Sequence, residues 1–196
     1  MRGDDLAVAD YVTNQIRPDR ACHAAIAGGD TPRPILKILA QRDLAWNRVV
    51  FVPTDERLVS PYHPASNYGM IQNALEQTPA LIQPLDQTSI PSSFNFVWLG
   101  MALDGKVASL FSPADIGQDT THRLVRTCPA PNSGHVPVAR DSLSLAAILA
   151  ADEIIVVIRG HAKRRLVELA IDGLVDMPIA YLFGRATSPI RIFWTL

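Results

Sequence analysis

Apolar residues are arranged along the chain in two kinds of segment. Continuous apolar runs of a few residues are typical of strands covered on both faces, whereas apolar residues that recur every three or four positions are typical of amphipathic helices. The runs predict strands over residues 22–27, 48–53, 94–99, 153–159, 179–183 and 190–194. The helical spacing predicts helices over 4–17, from Thr31 onward, over 142–150 and over 162–171.

The order of these segments, in which strands alternate with helices, indicates parallel βαβ units. The chain has no internal repeat, low-complexity tract or shift in composition that would mark a second domain. Its length of 196 residues is typical of a single domain. The sequence therefore predicts an α/β fold in one domain over residues 1–196, with a Rossmann-like, mostly parallel sheet and helices on both faces.

Composition excludes several classes of protein. The chain is 48% hydrophobic and 19% charged with a net charge of −1, so it has no electrostatic reason to bind nucleic acid or a membrane surface. The first residues are acidic where a signal peptide needs a basic and then an apolar stretch, and the apolar runs are too short to span a bilayer. Two cysteines, Cys22 and Cys128, make no disulfide framework, which favours a cytoplasmic location.

The histidines give no sign of a metal site, because none is spaced from a cysteine or a carboxylate as metal ligands usually are. They are His23, His63, His122, His135 and His161. The chain also lacks the glycine-rich nucleotide motifs and the G-x-S-x-G elbow of serine hydrolases. The sequence therefore predicts no metal ion and no serine nucleophile.

Ligands of open α/β sheets bind outside the carboxyl ends of the strands. Four polar segments follow predicted strands: AGGDTP at 27–32, TDERLVS at 54–60, GMALDGKVASLF at 100–111 and RGHAK at 159–163. We expect them to meet at one edge of the sheet, which makes that edge the candidate functional site.

The first segment joins a predicted strand to a predicted helix. Gly28 and Gly29 permit a tight turn, and the helix N-terminus offers free N–H groups and the positive end of its dipole to an anion. An ordinary turn in which Asp30 or Thr31 caps the helix explains the same residues. The segment is therefore either a phosphate-binding turn or an ordinary turn with a capped helix.

The second segment carries three adjacent charged residues, Asp55, Glu56 and Arg57. It is either a solvated loop or a site in which a carboxylate acts as acid or base and the arginine binds an anion. The polar loop that follows is expected to line the same cleft, and its side chains are Tyr62, His63, Ser66 and Asn67.

Each of the other two segments contains a lysine. The pair Asp104-Gly105 indicates a turn with Lys106 at its tip, and a short helix that ends near residue 112 is predicted to follow. Lys163 lies in the first turn of a predicted helix, where the helix dipole disfavours a cation. Each lysine is either a solvated surface charge or a residue turned toward a ligand.

Five stretches of the sequence carry a family pattern. They are GGDTP (GGSTP-like in the family), WNRVVFVPTDERLVSPYHPASNYGMI, FNFVWLGMALDGKVASLF (GMGxDGHTASLFP-like), PVARDSLSL (PRxTLT-like) and GHAK (GxxK). In order and spacing, from about residue 20 to the last strand, they resemble the 6-phosphogluconolactonase family of the glucosamine-6-phosphate isomerase/deaminase superfamily. The DER and ASLF pieces favour a lactonase over a deaminase.

The resemblance implies a lactone hydrolase of the pentose phosphate pathway that converts 6-phosphoglucono-δ-lactone to 6-phosphogluconate without a cofactor. The residues it implies for catalysis are Lys106, Arg57 and Asp55. Those it implies for binding the sugar and its phosphate are Gly28, Gly29, Asp30, Thr31, Asn67, Asp104, Arg140 and Lys163.

The chain departs from the family at the histidine of the DGH motif, the usual candidate for proton transfer, because Lys106 stands there. A lysine with an ordinary pKa of about 10.4 is protonated at neutral pH and is a poor base. Desolvation or neighbouring cations would have to lower the pKa of Lys106. Alternatively, Lys106 stays charged and stabilises the oxyanion or binds the phosphate while Asp55 or Asp104 orients water. In a third hypothesis catalysis is lost and a sugar phosphate is only bound.

Further departures leave two other functions open. Ala102 replaces a glycine of the family pattern and Ser112 precedes Pro113, which with Lys106 motivates a non-catalytic sugar-phosphate-binding protein. An amino-sugar phosphate isomerase or deaminase is the other alternative, although SLFSP stands where those enzymes carry an Asn-Glu-Pro-type continuation.

The chain is also shorter than usual for the family, so part of the sheet is expected to be uncovered unless a loop or a neighbouring subunit covers it.

Overall fold

A computed structural model describes residues 3–88, 90–117, 122–129 and 138–196. His135 and Pro137, which belong to the histidines and to the PVARDSLSL stretch above, lie outside these ranges. The strands are β1 (Cys22–Ile26), β2 (Val49–Pro53), β3 (Asp55–Arg57), β4 (Leu81–Ile82), β5 (Phe96–Gly100), β6 (Leu124–Thr127), β7 (Arg140–Leu143), β8 (Ile154–Arg159) and β9 (Ile190–Thr195). The helices are α1 (Asp5–Gln15), α2 (Pro32–Ala40), α3 (Asn67–Ala74), α4 (Pro113–Gly117), α5 (Leu145–Leu149), α6 (His161–Ile171) and α7 (Pro178–Arg185).

Six strands form a central sheet in the order β4-β2-β1-β5-β8-β9. Every neighbouring pair in it is parallel, as the alternation of strands and helices predicted. The order of the strands along the chain reverses direction at the β1–β5 pair. From β1 the chain continues outward to β2, and from β5 it continues outward in the opposite direction to β8. Such a reversal leaves a crevice at the carboxyl ends of the two strands, where ligands bind in open α/β sheets.

Both faces of the sheet are buried along its inner strands β2, β1, β5 and β8, which explains why these strands are continuous apolar runs. Along β5, Val97 and Leu99 pack into one apolar cluster, while Phe96 and Trp98 pack into the other. The first cluster is covered by α5, α6 and α7, and the second by α1, α2 and α3. The predicted arrangement of helices on both faces is therefore confirmed.

A small antiparallel sheet in the order β3-β7-β6 was not predicted from the sequence. The segment Arg140–Leu143 forms β7, so the helix predicted over 142–150 is wrong in its first part and α5 covers only Leu145–Leu149. In the β3–β7 pair, Arg57 lies opposite Arg140. These strands are only three and four residues long and carry charged residues, so they lack the apolar period by which strands are recognised.

Two further predictions of secondary structure are wrong. Residues 179–183 belong to α7, because Pro178 is compatible with a first helical turn and Ile179 and Leu182 point one face into the core. The helix predicted after Asp104-Gly105 is absent, and two isolated bridges connect residues 101, 107 and 110 instead. Gly105 and Ala108 have φ of +76° and +47°, left-handed values that a right-handed helix cannot contain.

Beside β9, Ile192, Trp194 and Leu196 line an open groove of about 630 Å³. Within the described ranges, no helix has the length and apolar character needed to cross a membrane.

Candidate active site

A cleft of about 190 Å³ opens at the carboxyl ends of β1, β5 and β8. Six of the predicted site residues line it: Gly28, Asp30, Thr31, Asp55, Lys106 and Lys163. The rest of the lining consists of Ala27, Pro32, Trp98, Gly100, Met101, Ala102, Ala108 and Val157. The four polar segments therefore meet at one edge of the sheet, as their positions after strands predicted.

The glycine turn at one end of the cleft allows an anion to approach the backbone. Gly29 has a φ of +96°, which glycine adopts without strain. Thr31 is the N-cap residue of α2 but makes no cap hydrogen bond through its side chain, which argues against the interpretation of Thr31 as an ordinary cap. Lys163 faces the same cleft from the first turn of α6, and burial lowers the pKa of its ammonium group. A cation opposite a helix N-terminus without a side-chain cap suits a phosphate group.

Asn67 connects the glycine turn to the charged segment from behind the cleft. A Cβ at Gly28 would lie 1.9 Å from Asn67 Oδ1, so only glycine fits beneath this side chain. Asn67 Nδ2 donates to the Asp55 carbonyl oxygen at 2.7 Å and to Asp55 Oδ1 at 3.4 Å. Asn67 Oδ1 accepts from Arg57 Nη1 at 3.3 Å. Asn67 therefore fixes the relative positions of three predicted site residues without lining the cleft itself.

The carboxylate of Asp55 is buried among polar partners. Its Oδ2 accepts from Ser109 Oγ at 2.5 Å and its Oδ1 accepts from Thr54 Oγ1 at 3.2 Å. The sequence did not lead us to predict Ser109 as a site residue. Ser109 is fully buried, and its Oγ lies 3.5 Å from Arg140 Nη1. The signal in the sequence was a single polar side chain within the apolar run VASLF at 107–111.

Lys106 enters the cleft from the turn after β5. Its Nζ donates to the Ala108 carbonyl oxygen at 2.8 Å and lies 5.4 Å from the centre of the Phe111 ring. Burial is the largest cause that lowers the pKa of Lys106, and the Arg140 guanidinium lowers it further. The Asp55 carboxylate opposes both by raising it. The net shift is downward, so the amine loses its proton at a lower pH than a free lysine does.

Two predicted binding residues lie beside the cleft lining. Asp104 is exposed, and its Oδ1 accepts from the Lys106 backbone N–H at 3.1 Å, so Asp104 shapes the turn that carries the lysine. Gly29 lies between Gly28 and Asp30, which do line the cleft.

Arg57 and Arg140 lie behind the cleft on the small sheet. Arg57 Nη1 donates to the Ala65 carbonyl oxygen at 2.6 Å as well as to Asn67. Arg140 is buried with its guanidinium 5.2 Å from the centre of the Phe111 ring. Both cations are near enough to lower the pKa of Lys106. In this structure they influence the cleft through charge and through the residues they bind.

The polar loop after β3 does not line the cleft, contrary to the prediction from the sequence. Tyr62, His63 and Ser66 line a separate surface depression together with Arg33 and Lys37 of α2. The reason is local, because Ser66 is the N-cap of α3 and accepts from the Gly69 N–H, which turns the loop away from the sheet edge.

The sequence matches known proteins along most of its length. A family model described as glucosamine-6-phosphate isomerases/6-phosphogluconolactonase matches residues 6–194. A 6-phosphogluconolactonase of Caulobacter vibrioides is 34% identical over 87% of this chain and 82% of that protein. A 6-phosphogluconolactonase of Mesorhizobium japonicum is 29% identical over 95% of this chain and 87% of that protein.

Solved structures share the fold. The crystal structure of a 6-phosphogluconolactonase from Shewanella baltica superposes with a TM-score of 0.84 at 24% identity, covering 98% of this chain and 93% of that one. A monomeric glucosamine-6-phosphate deaminase superposes with a TM-score of 0.77 at 15% identity, covering 97% of this chain and 92% of that one. At these identities the likeness shows the fold alone, and it extends to both branches of the family.

Proposed function

The chain belongs to the glucosamine-6-phosphate isomerase/6-phosphogluconolactonase family, and on that premise we propose that it hydrolyses 6-phosphoglucono-δ-lactone to 6-phosphogluconate, a step of the pentose phosphate pathway. One observation carries the proposal. A single cleft holds a phosphate-type site, made by the α2 N-terminus and Lys163, together with a carboxylate and a lysine of lowered pKa, Asp55 and Lys106. The same proposal places the enzyme in the cytosol, where its two free cysteines stay reduced.

The reaction needs a proton acceptor and a cation near the carbonyl carbon of the lactone. Water adds to that carbon as its proton is taken up, and the carbonyl oxygen becomes an oxyanion. The bond from the carbon to the ring oxygen then breaks, and the ring oxygen receives a proton and becomes a hydroxyl group. The products are one carboxylate, one hydroxyl group and one proton released to solvent, so the reaction balances with a single water.

Lys106 supplies the proton acceptor in this proposal. Burial and the nearby guanidinium groups lower the pKa of Lys106, so a larger fraction of its amine is neutral than in a free lysine. After it takes the proton from water, the ammonium is the cation beside the oxyanion and then the donor to the ring oxygen. Asp55 keeps the ammonium form favourable enough for that return, because its carboxylate raises the pKa of Lys106.

Turnover of freshly prepared 6-phosphoglucono-δ-lactone, with spontaneous hydrolysis subtracted at each of several pH values, tests the function. We expect a rate that is proportional to enzyme concentration. No rate above background, together with a raised melting temperature in 6-phosphogluconate, would replace the proposal with a non-catalytic binding protein. Release of ammonia from glucosamine 6-phosphate in place of lactone turnover would replace it with a deaminase.

Replacing Lys163 with alanine is expected to raise KM for the lactone by about 10–100-fold with little change in kcat. A charge-assisted hydrogen bond to the phosphate is lost in the substrate complex and in the transition state equally, so uniform binding suffers and chemistry does not. Steady-state kinetics at pH 7 measures both constants. Arg165→Ala is the matched control, because Arg165 is an exposed cation of the same helix that pairs with Glu168. A fall in kcat with KM unchanged would contradict the assignment of Lys163 to the phosphate.

A further inference from the structure

Glu56 does not line the cleft, but its carboxylate accepts several hydrogen bonds. Its Oε1 accepts from the backbone N–H groups of Arg57 at 2.8 Å and Asn67 at 2.9 Å. Its Oε2 accepts from the Tyr68 N–H at 2.6 Å and from Ser66 Oγ at 3.0 Å. Glu56 therefore uses both carboxylate oxygens to join β3 to the first turn of α3.

These bonds fix the N-terminus of α3. Asn67 and Tyr68 are its first two residues, and the N–H of the third, Gly69, is held by the N-cap Ser66. The first-turn N–H groups of a helix have no intrahelical partner, and a negative charge there also interacts favourably with the helix dipole. Because α3 has only eight residues, it depends strongly on this end for its position.

The position of α3 determines the position of Asn67, which reaches three parts of the site. Its side chain covers Gly28, donates to Asp55 and accepts from Arg57. A small rotation of the first turn of α3 would move this amide and leave the buried backbone of Asp55 without its donor. The contacts thus form a chain from Glu56 to Asn67 and from Asn67 to the cleft.

We propose that Glu56 is a positioning residue, which acts through Asn67 to hold Asp55, Arg57 and the glycine turn in register for the lactone and its phosphate. The role rests on the proposed function, since it concerns the same cleft. Glu56 does not line the cleft. It contacts the predicted site residues through the backbone N–H of Arg57, its neighbour on β3, and through Asn67, and we assign its effect on catalysis to the route through Asn67.

A double-mutant cycle tests this route. Glutamine at position 56 keeps the shape of the side chain but replaces one accepting oxygen with a donor, so donors at the start of α3 lose an acceptor. We expect Glu56→Gln to lower kcat/KM by about tenfold and Asn67→Ala to lower it by at least as much. If Glu56 acts only through Asn67, the double variant has the kcat/KM of Asn67→Ala alone. Fully multiplicative losses in the double variant would overturn the proposal.

A matched control separates positioning from general loss of stability. Asp4 is the N-cap of α1, accepts from the Ala7 N–H at 2.9 Å in an exposed turn, and does not line the cleft. Asp4→Ala removes a comparable helix cap, so we expect a lower melting temperature and an unchanged kcat/KM. Equal losses of activity in Asp4→Ala and Glu56→Gln at equal loss of melting temperature would overturn the proposal.

A second measurement keeps the inference independent of turnover. Backbone amide exchange at residues 67–69 is expected to accelerate in Glu56→Gln, and the dissociation constant of 6-phosphogluconate from calorimetry is expected to rise in the same variant. Absent turnover in the wild type with these two changes present would reject the proposed function and retain the positioning role. Unchanged exchange and unchanged product affinity in Glu56→Gln would reject the positioning role whatever the wild-type rate is.

Discussion

The Lys106→Ala variant is expected to lose kcat/KM for 6-phosphoglucono-δ-lactone by about 10²–10⁴-fold, the usual contribution of a general acid–base group. We expect the cleft to remain, because the contacts of Lys106 Nζ within the described part of the chain are with a backbone carbonyl and an aromatic ring. Binding of 6-phosphogluconate should therefore weaken far less than turnover falls. Stopped-flow titration of released acid, with spontaneous hydrolysis subtracted, measures the rate. An unchanged rate would show that Lys106 is not catalytic.

The pH dependence of the wild type identifies which form of Lys106 works. If the neutral amine takes the proton from water, the rate rises with pH through the pKa of Lys106, which burial places below that of a free lysine. If the charged ammonium stabilises the oxyanion, the rate falls through the same pKa. Lys106→His introduces a group with an ordinary pKa of about 6.5, so a rate limited by the neutral base should reach its plateau at lower pH in this variant. Lys37→Ala, an exposed lysine of α2, serves as the control and should leave the profile unchanged.

The central sheet was predictable because its physical cause is written locally in the sequence. A strand buried on both faces is a continuous apolar run, and β8 (Ile154–Arg159) and β2 (Val49–Pro53) are of this kind. The small sheet was not predictable in the same way. Asp55–Arg57 forms a strand only because Arg140–Leu143 lies beside it, and this pairing joins residues far apart in sequence. Tertiary context thus overrode the local pattern.

The site could be predicted to the level of segments and only partly to the level of side chains. The position of polar residues after parallel strands brought Asp55, Lys106 and Lys163 into one cleft. The roles of Ser109 and Glu56 depend on hydrogen bonds to residues from other segments, so the residues next to them in the sequence do not give these partners, even though Ser109 stands out as polar within an apolar run. The left-handed Ala108 likewise follows from tertiary contacts, because a non-glycine residue adopts this conformation only where its surroundings impose it.

Replacing Asp55 with asparagine is expected to lower kcat/KM by about 100-fold, because one charge beside the reacting groups is removed while the shape of the side chain is kept. Ser109 Oγ, which donates to Asp55 Oδ2 in the wild type, can turn to accept from the new amide or donate to its oxygen, so the fold is retained. The rate loss is measured as for Lys106→Ala. A loss smaller than threefold would exclude Asp55 from the reaction.

The same variant also moves the pH profile in a direction that does not depend on which form of Lys106 is active. The Asp55 carboxylate raises the pKa of Lys106, so its removal leaves burial and Arg140 less opposed and the pKa of Lys106 falls further. A rate that rises through this pKa should then rise at lower pH, and a rate that falls through it should fall at lower pH. Asp141→Asn is the control, since Asp141 lies on the same small sheet and pairs at the surface with Arg126. If the midpoint of the pH–rate profile stays in place or moves to higher pH in Asp55→Asn, the profile does not report the titration of Lys106. The role of the lysine at the oxyanion or the phosphate would then have to be assigned by binding measurements alone.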